Sequence, residues 1–154
     1  MKALLQRVSQ ASVSIDGAEV GRIGAGLCVL VGVAAGDNAK DVDYLVSKLV
    51  GLRIFADSGG KFNLSLLDVR GEVLLISQFT LLADASHGRR PGFTDAAPPE
   101  IAEKLFNLFV EKAKATGVRV ATGRFQAYMR VEIVNDGPVT IMLDSRDAAY
   151  CKPS

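Results

Sequence analysis

Apolar positions recur along this chain with two different periods, and the changes of period divide it into elements. Ala3 to Ile15 alternates loosely and is rich in β-branched residues; Asp16-Gly17 then turns the chain into Ala18–Ile23, which predicts a hairpin. Gly24 and Gly26 break the pattern before the unbroken apolar run Leu27 to Val33, which predicts a central strand covered on both faces. Asp37 or Asn38 is placed to cap a helix whose apolar positions Val42, Leu45, Val46, Leu49 and Val50 fall at helical spacing, and Gly51 ends it. Arg53-Ile-Phe55 predicts a short strand, Asp57 to Lys61 a loop, and Asn63 to Asp68 an irregular or short helical piece. Glu72 to Thr80 predicts another buried strand, one that ends in polar residues an apolar strand does not need. Leu82 to Ala97 has no period at all, which in an ordered domain points to a functional loop. Pro98-Pro99 then opens a long helix, with Ile101, Leu105, Phe109 and Ala113 at steps of four and Gly117 closing it. Val118 to Ala121 and Tyr128 to Val134 supply the remaining strands.

The stretch Val131 to Leu143 reads as a second hairpin, two β-branched runs separated by Asn135-Asp136-Gly137-Pro138. Pro138 fits that turn badly, because it has no N–H for a ladder and pushes Gly137 into extended geometry. Two readings stand: an edge hairpin with a rigid tip, or a stiff Gly-Pro tip presented to something else.

These elements give an α/β arrangement, α+β-like and layered, with a mixed, largely antiparallel sheet and two main helices on one side. Composition adds bounds. With 154 residues, of which 49% are hydrophobic and 23% charged, residues 1–154 are expected to form a single domain with a sizeable core. The balance of 18 Lys+Arg against 17 Asp+Glu leaves any polyanion site local. Cys28 and Cys151 lack paired spacing, so reduced thiols and a cytoplasmic location are expected. The charge at Arg7, close behind Lys2, leaves no room for a signal h-region, and no apolar run reaches the ~18 residues of a membrane span.

The chemical inventory excludes before it suggests. One His and two separated Cys do not assemble a zinc set, so no metal is expected; no cofactors are expected either. A Ser-His-Asp arrangement has only His87 to use, in a Gly-rich basic loop. Ser77-Gln78-Phe79-Thr80 is the best polar cluster. Its hydroxyls and amide either satisfy local backbone at a strand end or bind a carbonyl oxygen in a small ester site, where neutral donors stabilise an oxyanion without a charged catalyst. Arg89 and Arg90 are either a solvated face or phosphate contacts beside that site.

Gln6-Arg7-Val8, Ser77-Gln-Phe-Thr-Leu81 and Asn135-Asp-Gly-Pro-Val-Thr140, in that order and spacing, resemble the D-aminoacyl-tRNA deacylase family over essentially the whole chain. The resemblance implies a homodimer of a three-layer α/β/β fold. It implies that Ser77, Gln78, Phe79 and Thr80 form the catalytic pocket for the ester at the tRNA 3′-terminal adenosine. Gly137 and Pro138, as a Gly-cis-Pro dipeptide, enter the partner subunit's pocket; Met129 is a wall residue and Arg7 belongs to the substrate-binding set. The implied reaction releases free D-amino acid and tRNA, and steric exclusion of L-aminoacyl esters leaves glycyl-tRNA mischarged on tRNA-Ala as a further substrate. One departure stands out: the basic loop of relatives reads Lys-Gly-x-Arg-Pro-Ser-Phe, and here it is His87-Gly-Arg-Arg-Pro-Gly-Phe93, which bears on the tRNA-binding role of Arg89 and Arg90. The competing class is a non-catalytic RNA 3′-end or small-molecule binding module on the same fold.

Overall fold

The computed structural model, which describes residues 1–150, is built on one long strand, β1 (Lys2–Ile15). Along one edge its first half pairs antiparallel with β3 (Gly26–Gly32), and its second half pairs with β2 (Ala18–Ile23). Asp16 and Gly17, both left-handed at φ 50° and 80°, make the turn between β1 and β2. The other edge of β1 carries β8 (Arg130–Asp144), also antiparallel. From β3 the sheet continues through parallel pairs to β6 (Glu72–Ser77) and β7 (Val120–Thr122), giving six strands of mixed direction. The short β4 (Phe55–Ala56) and β5 (Phe62–Leu64) pair separately.

Alternation along the central strands produces two cores. Leu27, Val29, Val31, Val73 and Leu75 face one side, where α1 (Ala39–Gly51) and α2 (Pro99–Ala115) cover them with Leu45, Leu49, Phe106 and Phe109. Cys28, Leu74 and Ile76 face the other, against Val8, Ala11, Val13 and Ile23 of the curled β1–β2 arm. The apolar run of β3 is therefore buried on both faces, as its sequence predicts. Asn38 caps α1 with a reciprocal Asp41 contact, whereas Asp37 turns back to accept the Ala34 N–H at 2.6 Å. Among the described residues no helix is long and apolar enough to cross a membrane. Cys28 is buried and unpaired; Cys151 lies outside the described residues.

Several sequence expectations need correction. The irregular piece expected within Asn63 to Asp68 is present as turns from Leu66 onward, but the stretch begins with strand β5, because Phe62–Leu64 pairs with Phe55–Ala56, and this pairing also moves the strand expected at Arg53–Phe55 to Phe55–Ala56. Ile101 is 49% exposed, and Phe106 and Val110 complete the buried face of α2 in its place. The strand expected from Tyr128 starts at Arg130.

The largest correction concerns Val131 to Leu143, which is not a hairpin. Both halves belong to β8 and pair with the same strand in the same sense, Arg130–Val134 on Ser14–Gln10 and Thr140–Asp144 on Gln6–Lys2. Between the pairs Val8↔Asn135 and Gln6↔Thr140, β1 advances two residues (8 − 6) and β8 advances five (140 − 135), so the excess residues leave the ladder as a bulge. Pro138 is tolerated there because no ladder N–H is required of it. Gly137 sits at φ +136°, which favours glycine, and the Gly137–Pro138 peptide is cis. The Asn135 side chain closes the bulge: its Oδ1 accepts the Val139 N–H at 2.8 Å and its Nδ2 donates to Thr140 Oγ1 at 2.9 Å.

Candidate functional site

The end of β6 opens into a cavity of about 800 Å³. Ser77 and Gln78 border it where the strand stops, and the Gln78 N–H still reaches back to the Val31 carbonyl at 2.8 Å. Phe79 to Leu82 then forms one turn of 3₁₀ helix, anchored by the buried Leu82. A helix's first N–H groups have no partner within the helix, and no side chain caps this one, so among the described residues the N–H groups of Phe79 and Thr80 have no acceptor at the strand end. The Phe79 ring is 56% exposed and stands edge-on to Phe93, with centroids 4.9 Å apart.

The opposite wall comes from the loop between β7 and β8. Phe125, Gln126, Ala127, Tyr128 and Met129 all border the cavity, and Gln126 adopts a left-handed φ of 62°. Met129 rises against Gly123, where an added Cβ would overlap its sulfur, and that sulfur accepts the Arg124 N–H at 3.4 Å. Pro98, Pro99 and Ala102 bring the start of α2 to the rim. Among the described residues no Asp, Glu, His, Lys or Arg borders the cavity. Its chemistry must therefore come from hydroxyl, amide and backbone groups and from shape, as the polar strand end suggested.

Of the residues singled out from sequence, Ser77, Gln78, Phe79 and Met129 come together around this space. Thr80 is exposed and does not border it; the Gln78 side-chain amide donates to the Thr80 hydroxyl. Gly137 and Pro138 are exposed, outside the cavity of their own chain. Arg7 lies beneath them. Its Nε donates to the Asp136 carbonyl at 2.9 Å, its Nη1 donates to the Ile54 carbonyl at 2.8 Å, and its guanidinium sits over the Phe62 ring at 5.4 Å. Arg89 and Arg90 lie on an exposed loop whose ends are bridged at Asp84 and Gly92.

His87 does not form a hydrolytic triad. The Ser86 hydroxyl lies between it and Asp84, 2.8 Å from the imidazole Nδ1 and 2.6 Å from Asp84 Oδ1, so the carboxylate engages the hydroxyl and not the imidazole. The Ser86 hydroxyl and amide hold the Asp84 carboxyl below the usual carboxylate range.

Sequence reasoning missed Phe125 to Tyr128. Two aromatic residues in a short segment without a period, between a glycine and a strand, were the available signal, and only the fold reveals that they face Ser77.

Comparison with known proteins agrees with the architecture. A family model described as D-Tyr-tRNA(Tyr) deacylase matches residues 4–144. A D-aminoacyl-tRNA deacylase of Dehalococcoides mccartyi strain 195 is 60% identical, the match covering 96% of each chain. Another, from Fervidobacterium nodosum, is 56% identical over 95% of this chain and 98% of its own. Among solved structures, a c-Myc DNA unwinding element binding protein superposes with a TM-score of 0.89 at 43% identity, covering 94% of this chain and 98% of that one. A probable eukaryotic D-amino acid tRNA deacylase shares the fold at 18% identity with a TM-score of 0.81, covering 92% of this chain and 97% of its own.

Proposed function

The chain belongs to the D-aminoacyl-tRNA deacylase family and cleaves the ester that joins a D-amino acid to tRNA; from that premise we propose that cleavage takes place in the cavity at the end of β6. The observation that carries this is the meeting of unpartnered donors, the N–H of Phe79 at the cavity wall and that of Thr80 just beyond it, with a lining in which no described residue carries a charged side chain. In such a site the ester carbonyl oxygen is held by those N–H groups together with Ser77 and Gln78. Water attacks the carbonyl carbon, the bond to the ribose oxygen breaks, and that oxygen takes a proton as the free amino acid leaves. No residue at hand serves as a base for a protein nucleophile, and an unassisted Thr80 hydroxyl is a weak one. The ribose 2′-hydroxyl beside the ester is the group that orients the water, while the protein supplies position and electrostatics.

The working unit in this proposal is a cytoplasmic homodimer of a single-domain, three-layer α/β/β chain. Its outward β8 edge supports this: among the described residues the edge pairs with no strand, and Val134 and Met142 are about half exposed on β8. Gly137 and Pro138, displayed outside their own cavity and braced by Arg7, enter the partner's pocket. Their rigid backbone meets the side chain of an L-aminoacyl ester. Glycyl-tRNA has no side chain to exclude and is cleaved. Arg89 and Arg90 then contact tRNA phosphates near the rim.

Purified protein with D-Tyr-tRNA and L-Tyr-tRNA, chelator present, tests the reaction: D-tyrosine is released and L-tyrosine is not. Release of neither above the buffer rate leaves the non-catalytic RNA-end module as the better reading. The cross-subunit arrangement is tested by co-expressing a Pro138→Ala chain with a chain carrying Ser77, Gln78 and Thr80 all changed to Ala. One site of the heterodimer is then intact, and up to half of the wild-type activity returns; a site within one chain returns none.

A further inference from the structure

We propose that Tyr128 is a stacking platform for the base of the substrate's 3′-terminal nucleoside, an inference that rests on the cavity being the ester-cleaving site. Tyr128 borders the cavity, yet it is 86% exposed. A side chain that far from its neighbours adds almost nothing to the fold of this chain, because apolar stabilisation scales with area removed from water. The backbone beneath it is nevertheless held in place. The Ala127 N–H donates to the Arg124 carbonyl at 3.2 Å, Gln126 holds its left-handed conformation, and Met129 anchors the segment through the Arg124 N–H. An ordered backbone presents a flat, unburied ring at the mouth of a site.

The chemistry of the rim selects what the ring receives. Among the described residues the cavity lining carries no charged side chain to hold a phosphate, whereas a base offers a neutral π-face of matching shape. Phe79, 56% exposed and fixed by its edge contact with Phe93, adds a second apolar surface beside the same space. The base is joined to the ribose that carries the ester, so an ester carbonyl at the end of β6 brings the base to the cavity mouth. Stacking does not read the amino acid, and every aminoacyl-tRNA ends in the same nucleoside. One ring therefore serves all D-amino acids. Such a contact holds ground state and transition state alike and appears in KM, not in kcat.

The experiment combines kinetics with a direct optical reading. With D-Tyr-tRNA, Tyr128→Ala raises KM about 5- to 100-fold with kcat within about twofold, and Tyr128→Phe brings KM back to within about threefold of wild type. The chain contains no tryptophan, so Tyr128→Trp creates a single reporter. Titration with the stable amide 3′-(D-tyrosylamino)-3′-deoxyadenosine quenches its fluorescence, and the same amide on a sugar lacking the base does not. Failure of the wild-type protein to release D-tyrosine overturns the ester-cleaving reading. Wild-type activity together with an unchanged KM in Tyr128→Ala, equal quenching by the base-less amide, or dissociation of the Tyr128→Ala dimer in sedimentation overturns the stacking role alone.

Discussion

The two faces of the β3–β6 pair are made from alternate residues of the same strands, and they end in different ways. On the helix side Val29, Val31, Val73 and Leu75 meet α1 and α2, and the packing closes over Phe109, which has no exposed surface. On the strand side Cys28, Leu74 and Ile76 meet the β1–β2 arm, and the apolar surface then runs on past Ile76 and Met129 into the cavity. One core is sealed except at one margin, where Val33, Ala97 and Ala102 reach the cavity, and the other opens into the proposed site through Ile76, Met129 and Val131. Stability and function are thus expected to separate by face, so substitutions on each side test that separation.

The largest expected effect lies on the sealed side. Phe109→Ala removes a fully buried ring from the helix core and costs about 3–5 kcal/mol, read by urea unfolding. The molecules that remain folded keep wild-type kcat/KM for D-Tyr-tRNA. A drop in their specific activity breaks the comparison, since it means that α2 transmits to the site.

Next in size is a change on the open side with the opposite signature. In Gly123→Ala the new Cβ overlaps the Met129 sulfur, and a flexible thioether yields by moving toward the cavity. Unfolding free energy falls by about 1–2 kcal/mol. Because small misplacements at a reacting centre are amplified, kcat/KM falls by roughly tenfold to a hundredfold. Full activity in a destabilised variant removes Met129 from the list of working walls.

How much of this was legible in the sequence follows the same division. The sealed side was: the α1 positions Val42, Leu45, Val46, Leu49 and Val50 are all buried as their spacing implied, and Leu105, Phe109 and Ala113 likewise on α2. Local period is enough where one face packs on one neighbour. The open side was legible only in part. The polar ending of β6 marked Ser77 to Phe79, but Phe125 to Tyr128 has no period to read. The error at Asn135 to Pro138 is of the same kind. A bulge and a turn share their residues, and what separates them is whether the next run pairs with the last one or with a strand more than a hundred residues away.

A smaller effect separates the two accounts of the nucleophile. The Gln78 amide donates to the Thr80 hydroxyl, so Thr80→Ala removes one hydrogen bond from the site's edge. With water as nucleophile the rate falls by a factor of about 2 to 10 and stays measurable. With Thr80 as nucleophile it falls to background, and mass spectrometry after rapid quenching detects an acyl adduct on Thr80 in the wild type.

The smallest effect asks how dry the strand-side core is so close to an open cavity. Burial pushes the Cys28 thiol from 9.0 up to about 12. The sign follows from linkage: the unfolded chain releases this proton first, so the native state's advantage is complete below pH 9.0 and is lost as pH rises toward 12. One pH unit in that window corresponds to about 1.4 kcal/mol for a single group. Other groups titrate there too, so the quantity to measure is a difference. In a Cys151→Ser background, urea unfolding at pH 8 and pH 10 is compared between chains with Cys28 and with Cys28→Ala. The chain that keeps Cys28 loses about 1 kcal/mol more on going to pH 10. Equal losses mean that the thiol ionises as readily in the folded protein as in the unfolded one, which requires water at Cys28. The strand-side core is then wet from the cavity inward, and the contrast between the faces extends to their solvent as well as their packing.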